Sequence, residues 1–95
     1  MTTTTQPTTT KDFKLGRIVA TPGALGLGVD LLALLRRHAR GDWGDMCEED
    51  LRANDEALLR GGRLFSGYTL PGGRRLWIIT EADRSSTTFL LPEEY

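Results

Sequence analysis

A chain of 95 residues with a formal net charge of −1 and 39% hydrophobic side chains has the size and balance of one small globular domain. That charge supplies no field to draw it to nucleic acid or to an anionic membrane, and no apolar run nears the roughly 20 residues of a bilayer span. One cysteine, Cys47, excludes an intramolecular disulfide, and with a single histidine beside it no ordinary structural zinc site is expected. Neither a metal nor a cofactor is implied. The N-terminus lacks the basic and apolar pattern of a secretory leader, so a reducing cytoplasm is the expected compartment.

Residues 1–12 open with MTTTTQPTTT, which has no large apolar side chain after Met1. Such a segment cannot bury enough surface to offset the entropy of ordering, and is expected to be a disordered tail. A single domain over residues 13–95 follows. Phe13, Leu15, Ile18 and Val19 predict a first strand, roughly Lys14 to Ala20, set against the edge of a later sheet. Thr21 caps and Pro22 opens a short helix, cut off by Gly26 and Gly28. Asp30 caps a second helix, roughly Leu31 to Arg40, with an apolar stripe of Leu31, Leu32, Leu34, Leu35 and His38. Arg36, Arg37 and Arg40 point outward or towards its C-terminal end, where cations suit the helix dipole.

Gly41 ends that helix, and Gly41-Asp42-Trp43-Gly44-Asp45 forms a tight loop. Cys47-Glu48-Glu49-Asp50 opens a third helix with acids in its first turn, and Leu51, Asn54, Leu58 and Leu59 lie near one face. Gly61 and Gly62 stop it. Leu64, Ser66, Tyr68 and Leu70 then alternate with Arg63, Phe65, Gly67 and Thr69, the period of a strand. Pro71-Gly72-Gly73 makes a hairpin connection to Leu76-Trp77-Ile78-Ile79, an apolar run suited to a middle strand buried on both faces. A polar loop from Glu81 to Ser86 leads to a last strand, Thr87 to Leu91, stopped by Pro92. The expected fold is α+β: an antiparallel sheet of three to four strands, in the order β-α-α-α-β-β-β, covered by two main helices.

The stretches LGRIVATPGAL (Leu15–Leu25), HARGDWGD (His38–Asp45) and YTLPGGRRLWIITEADRSSTTFLLPEEY (Tyr68–Tyr95) resemble a group of small proteins carried by bacterial plasmids, phages and integrative elements. The resemblance covers most of the chain beyond the tail. It implies a mobile-DNA context and no settled activity. Two departures stand out: Gly26-Leu27-Gly28 is poorer in helix formers than the usual segment, and Cys47 stands where an aspartate cap is expected.

Three constellations are candidate sites. His38 is either a general base near neutral pH or a structural residue bonded to a loop or its own helix. Trp43 is either an exposed interface anchor or a core plug, with Asp42 closing the turn through an Asx hydrogen bond. Arg84 either binds a phosphate or carboxylate or clamps Asp42, Asp45 or Asp83. Were the two polar loops to meet, His38, Asp42, Trp43, Asp45, Glu81, Asp83 and Arg84 would form one binding patch. No catalytic residue and no metal ligand is assigned. The terminal Tyr95 either packs back on a helix or anchors a partner.

Seven acids against one base between Asp42 and Glu56 read as a solvated surface or as a face for a basic partner. The leading expectation is a non-enzymatic protein-binding accessory protein of a mobile element, of the kind that inhibits a host defence system (anti-CRISPR or anti-restriction), acting as a monomer or homodimer. Its partner would be a protein, such as a basic nucleic-acid-binding one, with no membrane involved. An alternative is a small ribonuclease, since the element order resembles RelE/ParE-type toxins, with His38, Arg84 and Tyr95 as acid–base and phosphate-binding groups. A DNA-binding regulator ranks third, because acids crowd the start of the third helix. The charge argues against direct nucleic-acid binding in both cases.

Overall fold

A computed structural model describes residues 13–95, so the expected tail lies outside the described residues. The element order is β1 (Arg17–Ala20), α1 (Pro22–Leu25), α2 (Leu31–Ala39), α3 (Glu48–Arg60), β2 (Leu64–Thr69), β3 (Arg75–Thr80) and β4 (Ser86–Leu90), closed by a 3₁₀ turn over Pro92–Glu94. The fold is therefore α+β in the expected order. Two N-caps form as the sequence dictates: Thr21 accepts from Ala24 N–H at 3.2 Å and Asp30 from Ala33 N–H at 3.1 Å. Cys47 stands at the N-cap of α3 without a side-chain cap bond, and its thiol donates instead to Asp50.

The sheet runs β1-β4-β3-β2. β2 with β3 and β3 with β4 are antiparallel, whereas β1 joins β4 in parallel. The sheet is thus mixed rather than wholly antiparallel. The three helices form a crossover that returns the chain to its starting end, so β2 runs parallel to β1; two reversals later, so does β4. β3 lies inside the sheet, as its apolar run predicts.

One face of the sheet carries Leu64, Ser66, Tyr68, Leu76, Ile78, Thr80, Thr87 and Phe89, all buried. Leu31, Leu34 and Leu35 of α2, with Ala24 of α1, pack on this face. Leu32 and Leu59 correct the sequence reading. They are 55% and 85% exposed, because each sits about 100° around its helix from the stripe beside it. α3 runs along the outer edge of β2 rather than over the sheet, with Asn54 turned inward. The opposite face is open, and carries Arg17, Val19, Phe65, Arg75, Trp77, Thr88 and the buried Ile79 and Leu90. Trp77 is only half-buried there, so the middle strand is fully covered on one side alone.

Candidate functional site

His38 comes from the last turn of α2 and is wholly buried between that helix and the sheet. Its Nδ1 lies 2.6 Å from Ser66 Oγ and its Nε2 2.8 Å from Thr80 Oγ1. Thr80 Oγ1 is 2.8 Å from Thr87 Oγ1, which donates to the Leu15 carbonyl at 2.7 Å. A carbonyl can only accept, so the direction of the whole chain is fixed. Thr87 donates to Leu15, Thr80 donates to Thr87, and His38 Nε2–H donates to Thr80. Nδ1 is then the acceptor and takes the Ser66 proton. Every member is satisfied with a neutral imidazole. Burial pulls His38 down from its ordinary 6.5 to about 4. A general base reached by substrate is not what this geometry builds; it is a polar rivet through the core.

Trp43 is buried beside the rivet, with its ring centroid 5.6 Å from His38 and 6.1 Å from Phe13. Among the described residues its Nε1 is the buried side-chain nitrogen left without a hydrogen-bond partner. Asp42 closes the loop by accepting from Gly44 N–H at 3.3 Å, the expected Asx turn, and binds Arg37 through both oxygens at 2.7 and 3.3 Å. The Arg37 guanidinium holds the Asp42 carboxyl below its usual range, and stacks over the Tyr68 ring at 4.7 Å. Tyr68 donates to the Asp42 carbonyl at 2.7 Å, with burial pushing its hydroxyl up to about 12.

The remaining candidates are used locally. Asp45 accepts from Thr69 N–H at 3.1 Å and Asp83 from Ser85 N–H at 3.0 Å; each is held below the usual carboxylate range by the group it bonds. Glu81 pairs with Arg63 at 3.4 Å. Arg84 holds a positive φ of 61° and donates to four carbonyls, those of Gly62, Glu81, Ala82 and Ala57. Its hydrogen bonds thus go to backbone and not to the carboxylates of Asp42, Asp45 or Asp83. Its guanidinium lies 5.9 Å from the Phe13 ring, which also contacts His38 at 5.4 Å. The structure therefore brings His38, Trp43 and Arg84 around Phe13, but gathers no single patch of the seven residues. His38 and Tyr95 lie on opposite faces of the sheet, so the acid–base set of the ribonuclease reading does not converge. Among the described residues no three His, Cys, Asp or Glu side chains meet as metal ligands, and no helix is long and apolar enough to cross a membrane.

The surface that stands out is the open sheet face. Phe65 meets Trp77 edge to face at 4.7 Å, and Trp77 meets Tyr95 in the same way at 5.8 Å. Arg63 donates to the Tyr95 hydroxyl at 2.6 Å and lies 5.6 Å from its ring. Gly67 lies opposite Trp77, and a Cβ there would meet Arg75 Nη2 at 2.6 Å, Met46 Sδ at 2.8 Å and Trp77 Cδ1 at 3.4 Å. Tyr95 packs back on the sheet rather than on a helix. The sequence carried a signal for this surface: Phe65 and Trp77 occupy the strand positions that alternate with the buried ones. An antiparallel sheet commonly shows such positions to water, and there polar residues are the rule.

No family model, curated relative or solved structure matches the chain.

Proposed function

We propose that the protein is a non-enzymatic protein-binding module that docks its partner on the open sheet face. The observation that carries this reading is the row Phe65–Trp77–Tyr95 on the sheet face opposite the one that α1 and α2 cover. Aromatic side chains offer large contact area at low conformational cost, and they are enriched at interface centres. The surroundings of the row have both signs: Arg63, just before β2, pairs with Glu81, Arg75 lies on β3, and Arg74 pairs with Glu93. An apolar centre with a mixed rim suits protein better than phosphate, which calls for a predominantly basic one. Arg63 and Arg75 are moreover engaged with Tyr95, Glu81 and Thr69. The resemblance to small plasmid- and phage-borne proteins makes a basic host defence protein the first partner class to try.

The test compares three baits of the full chain in bacterial lysate: wild type, Trp77→Lys and the control Leu59→Lys. Circular dichroism first confirms that each is folded. A protein retained stoichiometrically by wild type and by Leu59→Lys, and lost on Trp77→Lys, is the expected result. Equal retention by all three, or none by any, sinks the reading. Quenching of tryptophan fluorescence by single-stranded RNA, abolished at high salt, would point to nucleic acid instead.

A further inference from the structure

The outer edge of β1 is unlike any other part of the surface. Arg17 N–H donates to Ser85 O and Thr21 N–H to Phe89 O, so the odd positions face β4. The backbone groups of Ile18 and Ala20 therefore point away from the sheet. Among the described residues no strand pairs with them. Four of the exposed large apolar side chains, Ile18, Val19, Leu25 and Leu32, lie along this edge. Between the strand and α2 runs an apolar groove of about 420 Å³, floored by Leu31, Leu35 and Phe89. Unpaired backbone beside exposed apolar side chains is a template for another strand. Because β1 covers β4, the free edge of the sheet on this side is β1 itself.

The geometry points to a second copy of this chain as the occupant, its β1 antiparallel to the first across a two-fold axis at Val19. Only an antiparallel pairing of like strands is closed by such an axis. With the axis at Val19, Ile18 faces Ala20 of the second copy and the reverse, and the outward groups of both residues pair in full. The paired run, 17 to 21, is extended throughout, and Thr21 itself has φ −73° and ψ 161°. Moving the axis to Ile18 would bring Gly16 into the ladder, where its φ of +67° breaks the extended run. Size agrees: the small Ala20 leaves room for Ile18 of the second copy beside the groove.

Charge agrees too. Arg17 is exposed, makes no ion pair among the described residues, and comes to lie opposite Thr21 of the second copy. At Thr21 sits the Glu94 carboxylate, fixed by the Thr21 hydroxyl at 2.5 Å and by Gly23 N–H at 3.0 Å. Each copy thus sets a cation against the other's anion, twice per dimer. The product is one eight-stranded sheet in which the two open faces run on from each other. This inference goes beyond the docking reading and does not need it.

The decisive experiment is register-specific cross-linking of the full chain in a Cys47→Ser background, because Cys47 is an exposed free thiol. A non-hydrogen-bonded antiparallel pair sets its Cα atoms about 4.5 Å apart, within disulfide reach. V19C is therefore expected to oxidise largely to a reducible covalent dimer. I18C, whose two copies are diagonal at roughly 7–8 Å, should give little, and L59C, remote from the edge, none. In sedimentation, V19K should weaken association roughly 100-fold, by loss of buried valine and by like charge on the axis, while its circular dichroism stays that of wild type. A V19C chain that stays monomeric, equal cross-linking of all three variants, or a V19K chain that associates as wild type does overturns the proposal. Preferential cross-linking of I18C overturns the register.

Discussion

At the β2 edge the outward groups of Phe65 and Gly67 and the N–H of Thr69 all have partners; at the β1 edge, among the described residues, those of Ile18 and Ala20 are left open. Asn54 takes both groups of Phe65, accepting from its N–H at 2.9 Å and donating to its C=O at 2.8 Å. The loop before α3 takes Gly67, whose N–H donates to the Trp43 carbonyl at 3.0 Å while its C=O accepts from Asp45 N–H at 2.7 Å. The Asp45 carboxylate accepts from Thr69 N–H. One amide side chain, a two-bond bridge and one carboxylate thus serve five outward groups, without a further strand. Edge strands that stay unguarded invite pairing, and proteins usually blunt them. That one edge is sealed in detail, and the other lined with isoleucine, valine and leucine, argues that the second is kept for use.

The largest effect should come from forcing the sealed edge apart. Gly44 sits opposite Gly67 with φ +81°, and a Cβ there would lie 2.3 Å from the Gly67 carbonyl oxygen and 2.6 Å from the Tyr68 ring. Gly44→Ala is expected to cost at least ~3 kcal/mol in denaturant unfolding, or to prevent folding. A loss below about 1 kcal/mol would mean the loop is not what holds this edge.

Acid comes next, and it acts on the β2 side. The His38 pKa is lowered on folding, so its contribution is fully present above about 6.5 and is lost as pH falls towards about 4. Two and a half units correspond to ~3 kcal/mol. Unfolding midpoints across that window should fall in wild type and stay flatter in His38→Gln, whatever that variant's starting stability. Below that window Asp45, whose pKa is also lowered, protonates and releases Thr69, so further loosening should begin at β2. Amide hydrogen exchange at Thr69 would follow it.

Asn54→Ala should cost ~2 kcal/mol, because two part-buried backbone groups lose their partners together. It should also make the chain prone to associate through β2, which light scattering would detect. Val19→Lys is the mirror test and the smallest change. Val19 is 37% exposed, so monomer stability should move by no more than ~0.5 kcal/mol. A larger loss would mean that β1 is held through its side chains rather than left accessible.

The sequence makes much of this fold readable. Thr21-Pro22 and Asp30 announce their helices because a cap is a local device, and Leu76 to Ile79 announces an inner strand because burial demands such a run. Nothing in Arg17 to Ala20 encodes the direction of pairing, so the parallel join to β4 was not readable. The expected polar patch failed for one reason throughout. Asp42, Asp45, Asp83 and Arg84 each find a partner within a few residues or on passing backbone, and local bonds of that kind win over distant ones. Asn54 did leave a trace: an asparagine inside a helix, in line with Leu51 and Leu58, is out of place unless its amide is bonded elsewhere. Trp43 shows the reverse, since a tryptophan between glycines suits an exposed anchor as well as a plug, and only the packing of Phe13 and His38 separates the two.

The bonded chain from Leu15 to Ser66 has polarity, like a row of arrows that only one end can set. The residue that orients it is not the imidazole but Thr87, and Thr87 is oriented by a carbonyl two residues before β1. Docking of the N-terminal strand therefore decides which ring nitrogen of His38 bears hydrogen, from across the sheet. If that strand lifts away, the hydroxyl rotors are released and the opposite tautomer becomes available, so nitrogen-15 shifts of the imidazole would register whether β1 is seated.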